Sequence, residues 1–181
     1  MMNNPDMAKK EQMKTKVAVV GAGKIGVMIS AMLLSVEDYE VTIIDASQAQ
    51  LDLMEDERHL KKVCLDVSDE QRLVDELSRH VAVLSATPFF MTGVIAKAAV
   101  KAGIHYLDLT EDVASTETVK LLAEKSSRAM IPQCGLAPGF ISIVANDVAN
   151  TFDELETIRM CVGALPQYPS NSLNYNLTWS T

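Results

Sequence analysis

Cysteine is scarce in this sequence. Cys64, Cys134 and Cys161 are the only three, an odd number, widely spaced and without a CxxC pair, which argues against both a disulfide framework and a zinc site. Long apolar runs are missing as well. No stretch reaches the roughly 20 residues that a membrane span needs, and the polar start from Met1 to Lys16 lacks the apolar core of a secretory signal. The expectation is a cytoplasmic protein without a membrane partner. Asn176-Leu177-Thr178 has the form of a glycosylation sequon, read as a chance match in a chain without a secretory signal. Positive charge is in deficit too: 16 Lys and Arg against 24 Asp and Glu leave a formal net charge of −8. Affinity for a phosphate polymer comes mainly from clustered cations, so no nucleic-acid partner is expected. The sequence shows neither an internal repeat nor a low-complexity segment.

What is present is enough apolar material for a core. Hydrophobic residues make up 48% of the 181 positions, and that length holds one ordinary domain of about 100 to 200 residues and the beginning of another. From Lys16 onward, short β-rich runs alternate with longer amphipathic ones. Strands are expected at 17–20, 41–44, 63–65, 81–85, 106–109 and 130–133. Most are apolar throughout, as strands covered on both faces are. Ile25, Ile29, Leu33 and Val36 recur at helical spacing, as do Leu73 and Leu77, and Ile95, Ala99 and Ala102 lead to a stop at Gly103. The fold class is therefore α/β, a Rossmann-type doubly wound parallel sheet over residues 16–150, preceded by a flexible tail at 1–15. After Asn150 the pattern changes to period two: Ile158, Met160 and Val162, then Leu173, Tyr175, Leu177 and Trp179, alternate with polar residues. Residues 151–181 are expected to begin an antiparallel α+β substrate domain, truncated before it closes a core.

The run Lys16 to Val20 leads directly into Gly21-Ala22-Gly23-Lys24-Ile25-Gly26, which opens the first helix. This GxGxxG stands in the strand, turn and helix context that makes it a dinucleotide fingerprint. Gly21 serves the tight turn, Gly23 lets the backbone approach a pyrophosphate, and Gly26 lets helix and strand pack closely, with Lys24 and Ile25 completing the contact loop. The diphosphate is drawn to the unpaired N–H groups of the helix start. Asp45 ends the second strand 19 residues after Gly26, the place of the acid that binds the adenosine ribose hydroxyls and repels a 2′-phosphate. The next residues, Ala46 to Ala49, carry no cation, so NAD is expected over NADP. Asp45 also has the chemistry to start a turn or cap the second helix, as does Ser47. Asp66 and Val67 follow the third strand where an adenine packs, with helix capping by Asp66 or Ser68 as the other reading.

Four further segments carry a more specific likeness: Ser85 to Phe90, Ala102 to Asp112, Pro132 to Phe140, and Gly163 to Pro169. Together they resemble the saccharopine dehydrogenase family, particularly its lysine-dehydrogenase-like bacterial members, from about Val17 to the end of the chain. The resemblance implies an NAD(P)-dependent oxidoreductase acting on carbon–nitrogen bonds of lysine-related amino acids or polyamine carboxylates. It implies a small amino-acid or amine substrate, and a homodimer for a full-length chain. It places Ala86, Thr87 and Pro88 along the nicotinamide half of the cofactor, and the turn from Gly135 to Gly139 beside the nicotinamide. Two positions depart from the pattern. Ala137 stands where saccharopine-forming relatives carry an acidic residue, and Cys161 stands where lysine-dehydrogenase-like relatives carry a basic one.

Oxidising an amine by hydride transfer requires the donor carbon held against the acceptor and one group to take the amine proton; no metal is needed. Tyr106, Asp108, Glu111 and Asp112 are the polar groups near the strand ends. Asp108 and Glu111 are the catalytic candidates, whereas Asp112 and Ser115 also suit a helix cap. His105 is expected to be a satisfied edge residue and Cys134 a packed one. A different class of function, a non-catalytic NAD(H)-binding regulatory module, shares the glycine loop and Asp45, and a truncated pseudoenzyme shares them too.

Overall fold

The computed structural model describes residues 13–163, together with Tyr168 and Ser172. Six strands, β1 (Thr15–Val20), β2 (Tyr39–Asp45), β3 (Leu60–Cys64), β4 (Ala82–Ser85), β5 (His105–Asp108) and β6 (Met130–Ile131), form one sheet in the order β3-β2-β1-β4-β5-β6. Every pairing is parallel. Six helices connect or follow them: α1 (Lys24–Leu34), α2 (Gln48–Asp52), α3 (Glu70–Leu77), α4 (Thr92–Ala102), α5 (Val113–Ala123) and α6 (Phe140–Ala149). The order reverses between β3 and β4, so the β1/β4 junction is the switch point at which doubly wound sheets hold ligands.

Strand residues point alternately to the two faces, and two cores result. Val19, Val41 and Ile43 pack with Leu51 of α2 and half-buried Ile29, Leu33 and Leu34 of α1. On the opposite face, Ala18, Val20, Ile44, Val83 and Tyr106 pack with Leu73 and Leu77 of α3, Ile95 and Ala99 of α4, and Val119 of α5. Each fully buried Val, Leu or Ile contributes roughly 1.5–3 kcal/mol through its transfer from water. Two helices on one face and three on the other follow from right-handed crossovers running leftward to β3 and rightward to β6.

Four local expectations need correction. The buried line of α1 runs through Gly26 and Ser30, while Ile25 and Val36 stay 56% and 45% exposed. Gly26 must touch the glycine turn, which fixes the rotation of the helix and turns Ile25 outward; Val36 lies beyond the helix end. β3 begins three residues early, at Leu60. As an edge strand it tolerates Lys61 and Lys62, whose ammonium groups reach Glu76 and Asp56 at 2.6 and 2.7 Å. Finally, Ile158, Met160 and Val162 form no strand and are exposed, because among the described residues no neighbouring strand supplies their backbone with partners. The second alternating run, from Leu173 to Trp179, lies outside the described residues. β6 stops at Ile131 rather than Gln133, since Pro132 has no N–H to give a ladder.

Candidate functional site

The glycine loop crosses the carboxyl ends of β1, β2 and β4. Gly21 has φ +103°, and a Cβ there would lie 2.7 Å from Ala86 O, a conformation and a contact that only glycine accepts. A Cβ on Gly26 would overlap the Gly21 carbonyl. At Gly23 the situation is opposite: a Cβ would meet nothing within 4 Å. The space beside Gly23 is open to a ligand, and α1, which starts at the next residue, has neither a side-chain cap nor an acid in its first turn. Its leading N–H groups and positive dipole end are thus available to an anion. These features fit a dinucleotide diphosphate.

Asp45 bridges the loop and the tip of β2. Its Oδ2 accepts from Ala22 N–H at 2.7 Å and its Oδ1 from Ser47 N–H at 2.8 Å, so the carboxylate is fixed at the loop before any ligand arrives. Ser47 caps α2 by accepting from Gln50 N–H. Lys24 and Ile25 are exposed on the first turn of α1. Asp66 is exposed and accepts from Ser68 N–H at 2.9 Å, a bond that lowers its pKa. Val67 turns into the core, 8% exposed, and leaves the surface to its backbone. Neither Asp66 nor Ser68 caps the following helix; Asp69 does.

A groove of about 580 Å³ runs from Ala22, Gly23 and Lys24 along α1 toward Leu53 and Leu60. It shares the glycine loop with the site but is not lined by Asp45 or by the ends of β4 and β5, where the nicotinamide-side candidates stand.

On that side the loop after β4 carries half-buried Ala86 and Thr87 and exposed Pro88. Asp108, at the end of β5, is 1% exposed and gathers its surroundings. Its Oδ2 accepts from the Tyr106 hydroxyl at 2.9 Å, and its Oδ1 accepts from Thr110 N–H at 3.0 Å and Gln133 N–H at 3.2 Å. Its carbonyl accepts from Cys134 N–H at 2.7 Å. Asp108 thereby ties β5 to the turn containing Gly135, which bridges back to Gly139 at the head of α6. Glu111 is exposed on the next loop, and Asp112 caps α5 through Ser115 N–H at 2.7 Å. Burial and then the neighbouring Asp108 push the Cys134 thiol pKa up, which suits packing rather than nucleophilic attack. His105 Nδ1 accepts from Ala129 N–H at 3.1 Å, the satisfied edge residue expected. What sequence reasoning missed is the hydroxyl network around Tyr106. Its trace was the recurrence of polar residues at alternate positions inside apolar strands, Ser85 in β4 and Asp108 in β5.

The sequence profile of the saccharopine dehydrogenase NADP-binding domain matches residues 17–132. The chain belongs to the saccharopine dehydrogenase family. Mouse mitochondrial alpha-aminoadipic semialdehyde synthase is 22% identical over 92% of this chain and 19% of its own length. The NADP-dependent, L-glutamate-forming saccharopine dehydrogenase of Schizosaccharomyces pombe is 25% identical over 67% of this chain and 28% of its own. The L-Glu-forming saccharopine dehydrogenase of Saccharomyces cerevisiae superposes with a TM-score of 0.68 at 19% identity, over 92% of this chain and 39% of that one. The shared fold is thus the family's α/β sheet, and this chain spans between a fifth and two fifths of these relatives. Among the described residues, no helix is long and apolar enough to cross a membrane.

Proposed function

We propose that this chain is the cofactor-binding part of an NAD-dependent oxidoreductase acting on the carbon–nitrogen bond of a lysine-related amino acid or amine. Residues 16–150 hold the cofactor in this reading, and residues 151–181 begin the substrate and dimerisation unit. The observation that carries it is Asp45, a carboxylate anchored at the tip of β2 beside an open, uncapped glycine loop. A carboxylate there accepts from two ribose hydroxyls and repels a 2′-phosphate, which favours NAD even though the matched domain and the fission-yeast relative are described as NADP-dependent.

When bound, a nicotinamide dinucleotide supplies a two-electron hydride acceptor. The chain's own residues do the holding: N–H groups at the start of α1 for the diphosphate, Asp45 for the ribose, and Ala86 to Pro88 with the Gly135 turn for the nicotinamide side. Asp108, with every carboxylate oxygen engaged and the group buried, positions these loops rather than taking a proton. Glu111, exposed after β5, remains the candidate base.

The same observation supports a second reading. The open glycine loop and the anchored Asp45, which carry the first reading, serve a regulatory NAD(H)-binding module equally well. In both readings the cofactor preference is the same, and it is directly measurable. Fluorescence titration should give tighter binding of NADH than of NADPH, with Asp45→Ala narrowing the gap by about tenfold, the value of roughly one lost charged hydrogen bond. Equal affinities for the unmodified chain would remove the NAD assignment.

A further inference from the structure

Parallel pairing sets Val83 of β4 beside Tyr106 of β5 and Ser85 beside Asp108. All four residues lie on the sheet face covered by α4 and α5, and three of them are polar and almost fully buried: Ser85, Tyr106 and Asp108 are 2%, 0% and 1% exposed. Three polar groups in that position are expensive unless they satisfy one another. They do so as a chain. The Tyr106 hydroxyl donates to Asp108 Oδ2 at 2.9 Å. Ser85, paired in register beside Asp108 and buried on the same face, lies close enough to the phenol to lower its pKa, as Thr92 does, and Ser85 Oγ lies 3.0 Å from Thr87 Oγ1. One end of the chain is therefore Thr87, on the loop after β4. The other is Asp108, whose remaining oxygen and carbonyl hold Gln133 and Cys134 at the start of the turn after β6. Gln133 itself has a left-handed backbone, φ +61°, a conformation that a non-glycine residue keeps when its surroundings impose it.

We infer that Tyr106 is a positioning residue for the nicotinamide half of the cofactor site: its hydroxyl links the loop after β4 to the turn after β6 and holds the two at a fixed separation. The inference rests on the proposed placement of those loops beside the nicotinamide. The adenine half, built on the glycine loop and Asp45, has no part in the chain. Burial foremost, and then Asp108, raise the phenol's pKa, so the hydroxyl keeps its proton and remains the donor to Asp108 across the ordinary working pH range.

The test separates the two halves of the site. Tyr106→Phe keeps the buried ring and removes only the hydroxyl. Binding of NADH and of ADP-ribose, which lacks the nicotinamide, is measured by calorimetry on the 181-residue chain and its variant, with thermal melting alongside. The expected result is a loss of about tenfold in NADH affinity, the consequence of one charged hydrogen bond, with ADP-ribose affinity unchanged. Ser85→Ala, which cuts the same chain one link nearer Thr87, should show the same selectivity and provides the reading if Tyr106→Phe melts before it can be titrated. A parallel fall for both ligands would make the network a support of the whole sheet and overturn the inference, as would unchanged NADH binding in both variants. If the unmodified chain binds ADP-ribose as tightly as NADH, the placement of the loops fails rather than the link between them.

Discussion

Gly23 is the residue at which space and chemistry separate most cleanly. Its φ is −74° and a Cβ there touches nothing, so a side chain disturbs neither backbone nor packing; its only cost falls on a ligand that needs the space. Gly23→Leu should therefore keep its circular dichroism and a stability within about 0.5 kcal/mol of the parent, as exposed substitutions do. NADH affinity should fall by more than about a hundredfold, some 2.7 kcal/mol. Retained binding in the folded variant would place the diphosphate elsewhere. The fingerprint glycines and Asp45 were legible in the sequence because their roles depend on local spacing along one strand, turn and helix. Asp108 was legible only as a polar residue at a strand end. Whether it is free to take a proton depends on Tyr106, Thr110 and Gln133, and the last of these lies 25 residues away.

At the scale of elements, all six strands stood out in the sequence because buried parallel strands are apolar runs. Their ends were less visible. β3 hides its first residues behind two lysines that an edge strand carries without penalty, and α1 is rotated by a glycine contact rather than by its apolar stripe. The junction of α3 with β2 carries a pH-dependent element of its own. His80 is 8% exposed, its Nε2 lies 2.8 Å from Thr42 Oγ1, and its Nδ1 lies 3.0 Å from Glu76 O. The surroundings include Glu76, Lys61 and Arg79, with Lys16, Glu40 and His59 nearby on β1, β2 and the loop before β3. Burial is the largest influence and lowers the His80 pKa below its ordinary 6.5. In the interval below that ordinary value the unfolded chain binds more protons than the folded one, so stability is full above about pH 6.5 and falls as pH drops through the interval. Melting temperatures at about pH 7.5 and 5.5 should show this fall, and His80→Gln, which cannot titrate, should reduce the difference. An equal fall in the variant would assign the acid sensitivity to other groups.

At the scale of the molecule, one edge of a six-stranded parallel sheet gathers the glycine loop, the Asp45 tip, the loop after β4 and the Asp108-anchored turn. The opposite edge carries the ion pairs around Glu76 and Glu40. The doubly wound parallel sheet was expected from the run of βα units; its order 3-2-1-4-5-6 was not, because right-handed crossovers allow more than one order. The antiparallel continuation was inferred from alternation alone, and alternation has no consequence for residues 158–162 without a neighbouring strand to pair with. The carboxyl edge is proposed to hold a nicotinamide dinucleotide, diphosphate on α1 and ribose on Asp45. Amide NMR chemical-shift mapping of the 181-residue chain during NADH addition tests it most directly. The perturbed amides are expected to cluster at Gly21 to Val27, Asp45 to Ser47, and Ala86 to Thr87, with Lys16, Glu40 and His59 unmoved. Shifts centred on the opposite edge, or none at saturating NADH, would contradict it.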